Sequence, residues 1–248
     1  TPATILPLLE RHFGDWQPPA GLSPARVAIA AATGSSGTRV YLLDRPGAPQ
    51  TSILAGQLLP SSFAPDRIEL NTANDVLGGT FTSRINMNLR EDKHWSYGAR
   101  SSLTETRGQR PWLLSAPVQT DKTVESIQEI RRELADFLAK RPITAEEFAK
   151  VRNRDVRALS GQYETNAAVS GAIGDIVRFG RADDYVRTLR ARLQAQTDAG
   201  VRQAATQAFQ PDSLTWVIVG DLSKIEAPLR ELGLGSVQVL DADGNVLR

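Results

Sequence analysis

Histidine, cysteine and paired acids are the side chains that would first suggest catalysis, and in 248 residues this chain has two histidines, His12 and His94, and no cysteine. Catalytic zinc in peptidases usually takes two histidines and a carboxylate, commonly with the histidines one helical turn apart. His12 and His94 are too distant in sequence to be a helical i, i+4 pair, so a zinc site built wholly inside the chain is not expected. His12 reads as part of a terminal helix face and His94 as part of a surface turn. Absence of cysteine removes thiolate ligands, disulfides and a cysteine nucleophile. Ser160, Ser170 and the other serines have no local histidine partner, which makes a Ser-His-Asp triad remote. The pair Gly78-Gly79 lacks the G-x-G-x-x-G spacing and no G-x-x-x-x-G-K-[ST] occurs, so phosphate cradling has little support.

Charge excludes a second set of functions. There are 29 Lys and Arg against 28 Asp and Glu, a formal net charge of +1. Arg131, Arg132, Arg152, Arg154 and Arg157 are interleaved with Glu129, Glu133, Glu146, Glu147 and Asp155, the pattern of solvated, paired helix faces. No field that would gather nucleic acid is expected. No run of about 18 apolar residues exists to span a membrane. The first residues carry no signal-peptide pattern, and Thr1 is not expected to be a natural start. With 41% hydrophobic and 23% charged residues the chain is expected to be folded and soluble. The compartment stays open between bacterial periplasm and cytoplasm, bacterial being suggested by richness in alanine and arginine alone.

The elements that must position any site follow from periodicity. Residues 3–14 predict an amphipathic helix, followed by a proline-rich linker over 18–24. Arg39–Leu43 and Thr51–Leu58 read as neighbouring strands around the turn Asp44–Pro49. A helical pattern from Pro65 reaches Gly78-Gly79, and a second short helix covers Ser83 to Arg90. Trp95–Leu103 and Trp112–Val118 read as a hairpin joined by a polar loop. Helices follow over Val124–Leu138 with Asp121 as N-cap, from a capping box at Thr144 and Glu147, and near 165–179, 182–195 and 198–208. A last strand, Leu214–Val219, ends at Gly220-Asp221 and feeds a helix to Leu232. Hairpins among clustered helices predict an α+β fold, an α/β roll whose sheet is mixed and mostly antiparallel.

The stretch Leu77-Gly78-Gly79-Thr80-Phe81-Thr82-Ser83-Arg84-Ile85-Asn86-Met87-Asn88-Leu89-Arg90-Glu91, continuing to Tyr97-Gly98, resembles the signature of the insulinase, pitrilysin and mitochondrial-processing-peptidase family in its second homologous domain. Phe13-Gly14-Asp15-Trp16, Arg45-Pro46-Gly47-Ala48-Pro49-Gln50 and Val217-Ile218-Val219-Gly220-Asp221 extend the resemblance along nearly the whole chain. The resemblance implies one half of a clam shell that encloses an unfolded or extended peptide. In such enzymes one half carries H-x-x-E-H, whose histidines hold zinc and whose glutamate activates water, and the other half supplies an arginine and a tyrosine. Here the segment matching the zinc motif is Asn71-Thr72-Ala73-Asn74-Asp75, so the metal motif is absent, in agreement with the histidine count.

By the same resemblance Arg90 and Tyr97 are the catalytic and substrate-binding pair, the guanidinium orienting a peptide carbonyl or carboxylate and the phenol donating to the developing oxyanion. Trp95, Trp112 and Trp216 suit buried or half-buried strand positions, and Trp95 is also a candidate for an apolar subsite. Each residue has a plainer reading: Arg90 as an ion pair with Glu91 or Asp92, Tyr97 as strand packing, Gly78-Gly79 as a left-handed helix end or a close-packing point, and Ser83 and Arg84 as a cap and a solvated side chain. The expected division is residues 1–24 as the terminal helix of a preceding domain plus linker, and 25–248 as the non-zinc-binding domain. No cofactor is expected in this chain; zinc belongs to a homologous partner domain or subunit, covalent or heterodimeric. The expected function is the substrate side of a zinc metalloendopeptidase. A silent scaffold homologue and a peptide-binding module that adds a strand to its sheet edge are the alternatives.

Overall fold

Alternation along the strands decides which face of the sheet carries the core. In β2 (Gln50–Leu59) Thr51, Ile53, Ala55 and Leu59 are buried, and in β4 (Arg110–Gln119) Arg110, Trp112, Leu114, Ala116 and Val118. Leu54, Leu58 and Leu113 alternate onto the opposite, exposed face. A computed structural model describes the chain except residues 18, 22–29 and 35. It divides into two compact units, Thr1–Ala31 and Ala32–Arg248. The first contains α1 (Pro2–Phe13), as the apolar spacing predicts, begun by a capping box between Thr1 and Thr4. The linker expected over 18–24 and the expected boundary at 24/25 fall largely outside the described residues.

The second unit is a six-stranded mixed sheet packed against helices, an α+β fold. Its order is β3-β4-β2-β5-β1-β6, with β1 at Arg39–Asp44, β3 at Arg100–Leu103, β5 at Thr215–Gly220 and β6 at Ser236–Leu240. β1 and β2 are therefore not neighbours. β5 runs between them, parallel to β1 and antiparallel to β2. Its run Trp216-Val217-Ile218-Val219 can take a central position, buried at Trp216 and Ile218. β6 escapes the sequence pattern because it is a short edge strand, buried at Val239 only.

The helices that cover the buried face are α2 (Arg67–Asn74), α4 (Thr123–Leu138) and α8 (Asp198–Ala208), which contribute Leu70, Ile127, Ile130, Leu134, Val201 and Ala205 to the core. Lys122, not Asp121, is at the α4 N-cap, because Thr120–Lys122 forms a 3₁₀ turn first. α6 (Asn166–Phe179), α7 (Tyr185–Ala195) and α9 (Leu222–Glu231) lie close to where periodicity predicts helices. No described helix is long and apolar enough to cross a membrane.

α2 continues into a π-helical turn, Asp75–Gly79, that ends at the glycine pair. Neither glycine has a positive φ. Gly78 is needed for a close approach to β3: a Cβ there would lie 2.4 Å from Ser101 Oγ and 3.1 Å from the Ser101 backbone nitrogen. Two helical segments follow, α3 (Arg84–Asn86) and the π-helical turn Met87–Asp92.

Arg84 is not the solvated residue that its type suggested. Its side chain is 12% exposed and bonds bidentately to Glu147, Nε to Oε1 at 2.7 Å and Nη2 to Oε2 at 2.6 Å, while Nη2 also donates to the Pro142 carbonyl at 3.0 Å. Glu147 closes the predicted capping box of α5 (Ala145–Ala158), accepting from Thr144 N at 2.9 Å and donating its own N–H to Thr144 Oγ1 at 3.2 Å. Burial alone would push the Glu147 carboxyl up, but the Arg84 and Thr144 bonds outweigh it and hold the group below its ordinary range.

Two outcomes follow from this packing. Gly78→Ala should cost about 1–3 kcal/mol in urea unfolding, because the added methyl forces β3 away from α2. Glu147→Gln should cost about 2–3 kcal/mol near neutral pH. A carboxylate whose folded pKa is depressed contributes stability above its unfolded pKa and loses it as pH falls through the folded value. The gap between wild type and Glu147→Gln should therefore narrow on acidification, as measured by denaturant midpoints across the acid range.

Candidate functional site

Arg90 lies in the turn Met87–Asp92, which is fixed from beneath. Ile85 and Leu89 are in the core, and Asn88 Nδ2 donates to Glu129 Oε2 at 2.7 Å and Glu133 Oε1 at 2.8 Å on α4. Glu133, 5% exposed, is itself bound by Arg141 Nη2 at 2.8 Å. The chain then doubles back: the Leu89 carbonyl accepts from the N–H of Trp95 at 3.0 Å and of Ser96 at 3.3 Å. This return is why Trp95–Tyr97 do not form the strand that their residue types predict. β3 starts only at Arg100, and Ser96 makes one isolated bridge to Val118.

The Arg90 guanidinium lies over the Phe81 ring, 4.6 Å from its centroid, with Nε 3.3 Å from Glu91 Oε1. The ion pair with Glu91 is thus present. Arg90 is 37% and Glu91 43% exposed at the side chain, and a pair so open to water holds the arginine weakly. Tyr97 is 87% exposed, and its hydroxyl makes no hydrogen bond among the described residues. Its backbone is held on both sides: Ser96 Oγ donates to Pro117 O at 2.5 Å, Gln119 N to Trp95 O at 2.9 Å, and Ala99 N to Asn86 Oδ1 at 2.9 Å. A fixed loop thus presents a free phenol. Trp95 is half-buried against the core, with Lys93 Nζ 5.6 Å from its ring.

Arg90, Trp95 and Tyr97 line one recess of about 330 Å³ together with Gln50, His94 and Gln119. Larger recesses of about 680 Å³ beside Arg84 and about 930 Å³ beside α6 and α7 contain none of the three. Gln50 and Gln119 escaped sequence reasoning because they meet only through the register of β2 and β4, where they are paired. Phe81 escaped it because an exposed aromatic carries no periodic signal.

The positions that match a zinc motif are committed elsewhere. Asn71 Oδ1 accepts from Arg110 Nη1 at 3.2 Å. Asn74 Oδ1 accepts from Ser101 Oγ at 2.7 Å and from Trp112 Nε1 at 2.9 Å. Asp75 pairs with Arg154, while burial raises its carboxyl above the usual range. Two amides and one arginine-paired acid do not fit zinc. Among the described residues no group of three or more His, Cys, Asp or Glu side chains is placed to hold a metal ion.

The chain matches no curated protein sequence. Among solved structures it is similar to a peptidase M16 inactive domain from Pseudomonas fluorescens, at 22% identity and a TM-score of 0.72 over 80% of this chain and 46% of that one. It is similar to a protease from Helicobacter pylori, at 17% identity and a TM-score of 0.78 over 88% of this chain and 52% of that one. It is also similar to the periplasmic protease PqqL from Escherichia coli, at 16% identity and a TM-score of 0.69 over 88% of this chain and 24% of that one. The chain spans about half the length of the first two, and at these identities the likeness is one of fold. The family model for the peptidase M16 inactive domain matches residues 1–154. That is more than half of the 248 residues, and together with the shared fold and a zinc-motif segment unfit for zinc it leads to one conclusion: the chain belongs to the family of peptidase M16 inactive domains.

Proposed function

We propose that this domain is the substrate-binding, transition-state-stabilising half of a zinc metalloendopeptidase that cleaves unfolded or short peptides. A homologous partner domain carries zinc and the general base, and supplies the attacking water. Residues 25–248 form the working domain and residues 1–24 the end of a preceding one. The observation that carries the reading is the joint presence of Arg90 and Tyr97 in one recess, with Tyr97 exposed and its hydroxyl without a hydrogen bond among the described residues.

The chemistry follows from the two side chains. A guanidinium offers a planar fork of donors, which suits a peptide carbonyl next to the scissile bond. Its contacts with Phe81 and Glu91 limit its motion without consuming all of its N–H groups. The phenol donates to the carbonyl oxygen as negative charge develops on it, a bond stronger in the transition state than in the ground state. Trp95 offers an apolar wall.

The chain alone should show no chelator-sensitive peptidase activity. With a zinc-binding partner domain it should cleave a mixture of unfolded peptides, and Tyr97→Phe should lower kcat about 10²-fold. Its melting temperature should stay unchanged, because the hydroxyl bonds nothing among the described residues. Zinc-dependent cleavage by the chain alone would overturn the proposal. So would a Tyr97→Phe complex as active as wild type, and that result would favour the scaffold or the peptide-binding module.

A further inference from the structure

His94 is the one non-glycine residue with positive φ among the described residues, at 58°. That conformation strains an L-residue with a Cβ, and glycine adopts it freely. The turn by itself therefore asks for glycine, yet the chain places an imidazole there. A strained residue in a ligand recess is a reason to look for a role for its side chain.

The ring is oriented by one hydrogen bond, and the backbone beneath it by another. Nδ1 is 3.1 Å from the Arg90 carbonyl oxygen, and the His94 carbonyl accepts from Gln119 Nε2 at 3.0 Å. A carbonyl oxygen can only accept, so Nδ1 carries the proton of this bond. In the neutral imidazole Nε2 is then an acceptor. Nε2 makes no hydrogen bond among the described residues, and His94 lines the same recess as Arg90 and Tyr97. Arg90 and the Tyr97 hydroxyl are donors suited to carbonyl oxygens. An extended peptide also presents N–H groups along the same edge, and these need acceptors. The Glu91 carboxylate in the same recess is shared with the positive charge of Arg90 through Oε1, whereas Nε2 of His94 is a neutral acceptor.

We propose that His94 is a peptide-recognition residue of this site, accepting through Nε2 a backbone N–H of the extended substrate whose carbonyls face Arg90 and Tyr97. This rests on the proposed function, since it takes a peptide to be the ligand of the recess. Its strain is the cost of keeping a rigid acceptor where glycine would leave none. The link from Nδ1 to the Arg90 carbonyl also couples the position of the ring to the turn that carries the arginine.

The test is a cycle between His94→Gly and backbone N-methylation of a peptide cleaved by the assembled complex. Kd is measured by fluorescence polarisation with hydrolysis stopped by a chelator, and KM and kcat are measured with zinc. In wild type, methylation at one backbone nitrogen should weaken binding about tenfold, beyond its effect at other positions. His94→Gly should weaken binding of the unmodified peptide by a similar factor, be insensitive to methylation at that nitrogen, and melt no lower than wild type. If His94 serves the turn alone, glycine will bind peptide as well as histidine does, and the proposal is overturned. Additive effects at every nitrogen also overturn it. Coupling at His94 with Tyr97→Phe fully active would leave this inference standing and sink the catalytic reading. A strong Tyr97→Phe defect without coupling would do the reverse. A wild-type complex that binds no peptide at all would overturn both.

Discussion

One buried amide oxygen holds together the elements on which the site is built. Asn74 Oδ1, at the end of α2, accepts from Ser101 on β3 and from the indole of Trp112 on β4. Both donors are buried, so without this oxygen two polar groups would lose their partner inside the core. The same contact brings the π-helical turn so near to β3 that residue 78 has no room for a side chain. From there the chain has a defined exit toward Ser83, α3 and the turn that carries Arg90. Asn74 lies in the segment that matches a zinc motif by resemblance, and here that segment is a structural joint.

Beyond that joint the protein separates what is fixed from what is free. The backbone of residues 87–99 is held by Asn88 against α4, by two N–H groups on the Leu89 carbonyl, and by Ser96, Asn86 and Gln119 around the loop. Nearly all of this bonding is to backbone or buried carboxylate. The Arg90 head group keeps only an exposed ion pair and a ring contact, and the Tyr97 phenol makes no hydrogen bond among the described residues. That distribution lets two flexible side chains be presented at a set spacing, so that less order has to be gained when a ligand binds. Electrostatics in the recess are shared between one exposed ion pair, Arg90 with Glu91, and the neutral amides of Gln50 and Gln119.

Local signals are legible in the sequence where a single element determines them. The Thr144 and Glu147 capping box, the helices in the second half and the apolar strand near 214–219 depend on residues a few positions apart. The features that escape the sequence depend on residues far apart. β5 enters between β1 and β2 because its central run can be paired on both sides, which the turn between β1 and β2 could not reveal. Arg84 is indistinguishable in sequence from a surface arginine. Its burial depends on Glu147 and on the carbonyls that follow α4.

The sequence by itself determined that the segment matching a zinc motif carries amides at positions 71 and 74 and that the two histidines lie far apart, since residue types are visible without coordinates. It also carried the family resemblance, through a contiguous stretch of chain that includes Arg90 and Tyr97. Only the tertiary structure decided that Arg90, Trp95 and Tyr97 share one recess with Gln50 and Gln119, and that His94 takes a left-handed backbone there. The physical reason is that strand register and a doubled-back loop bring those groups together. Both arise from hydrogen bonds between distant parts of the chain, which no local pattern of residue types encodes.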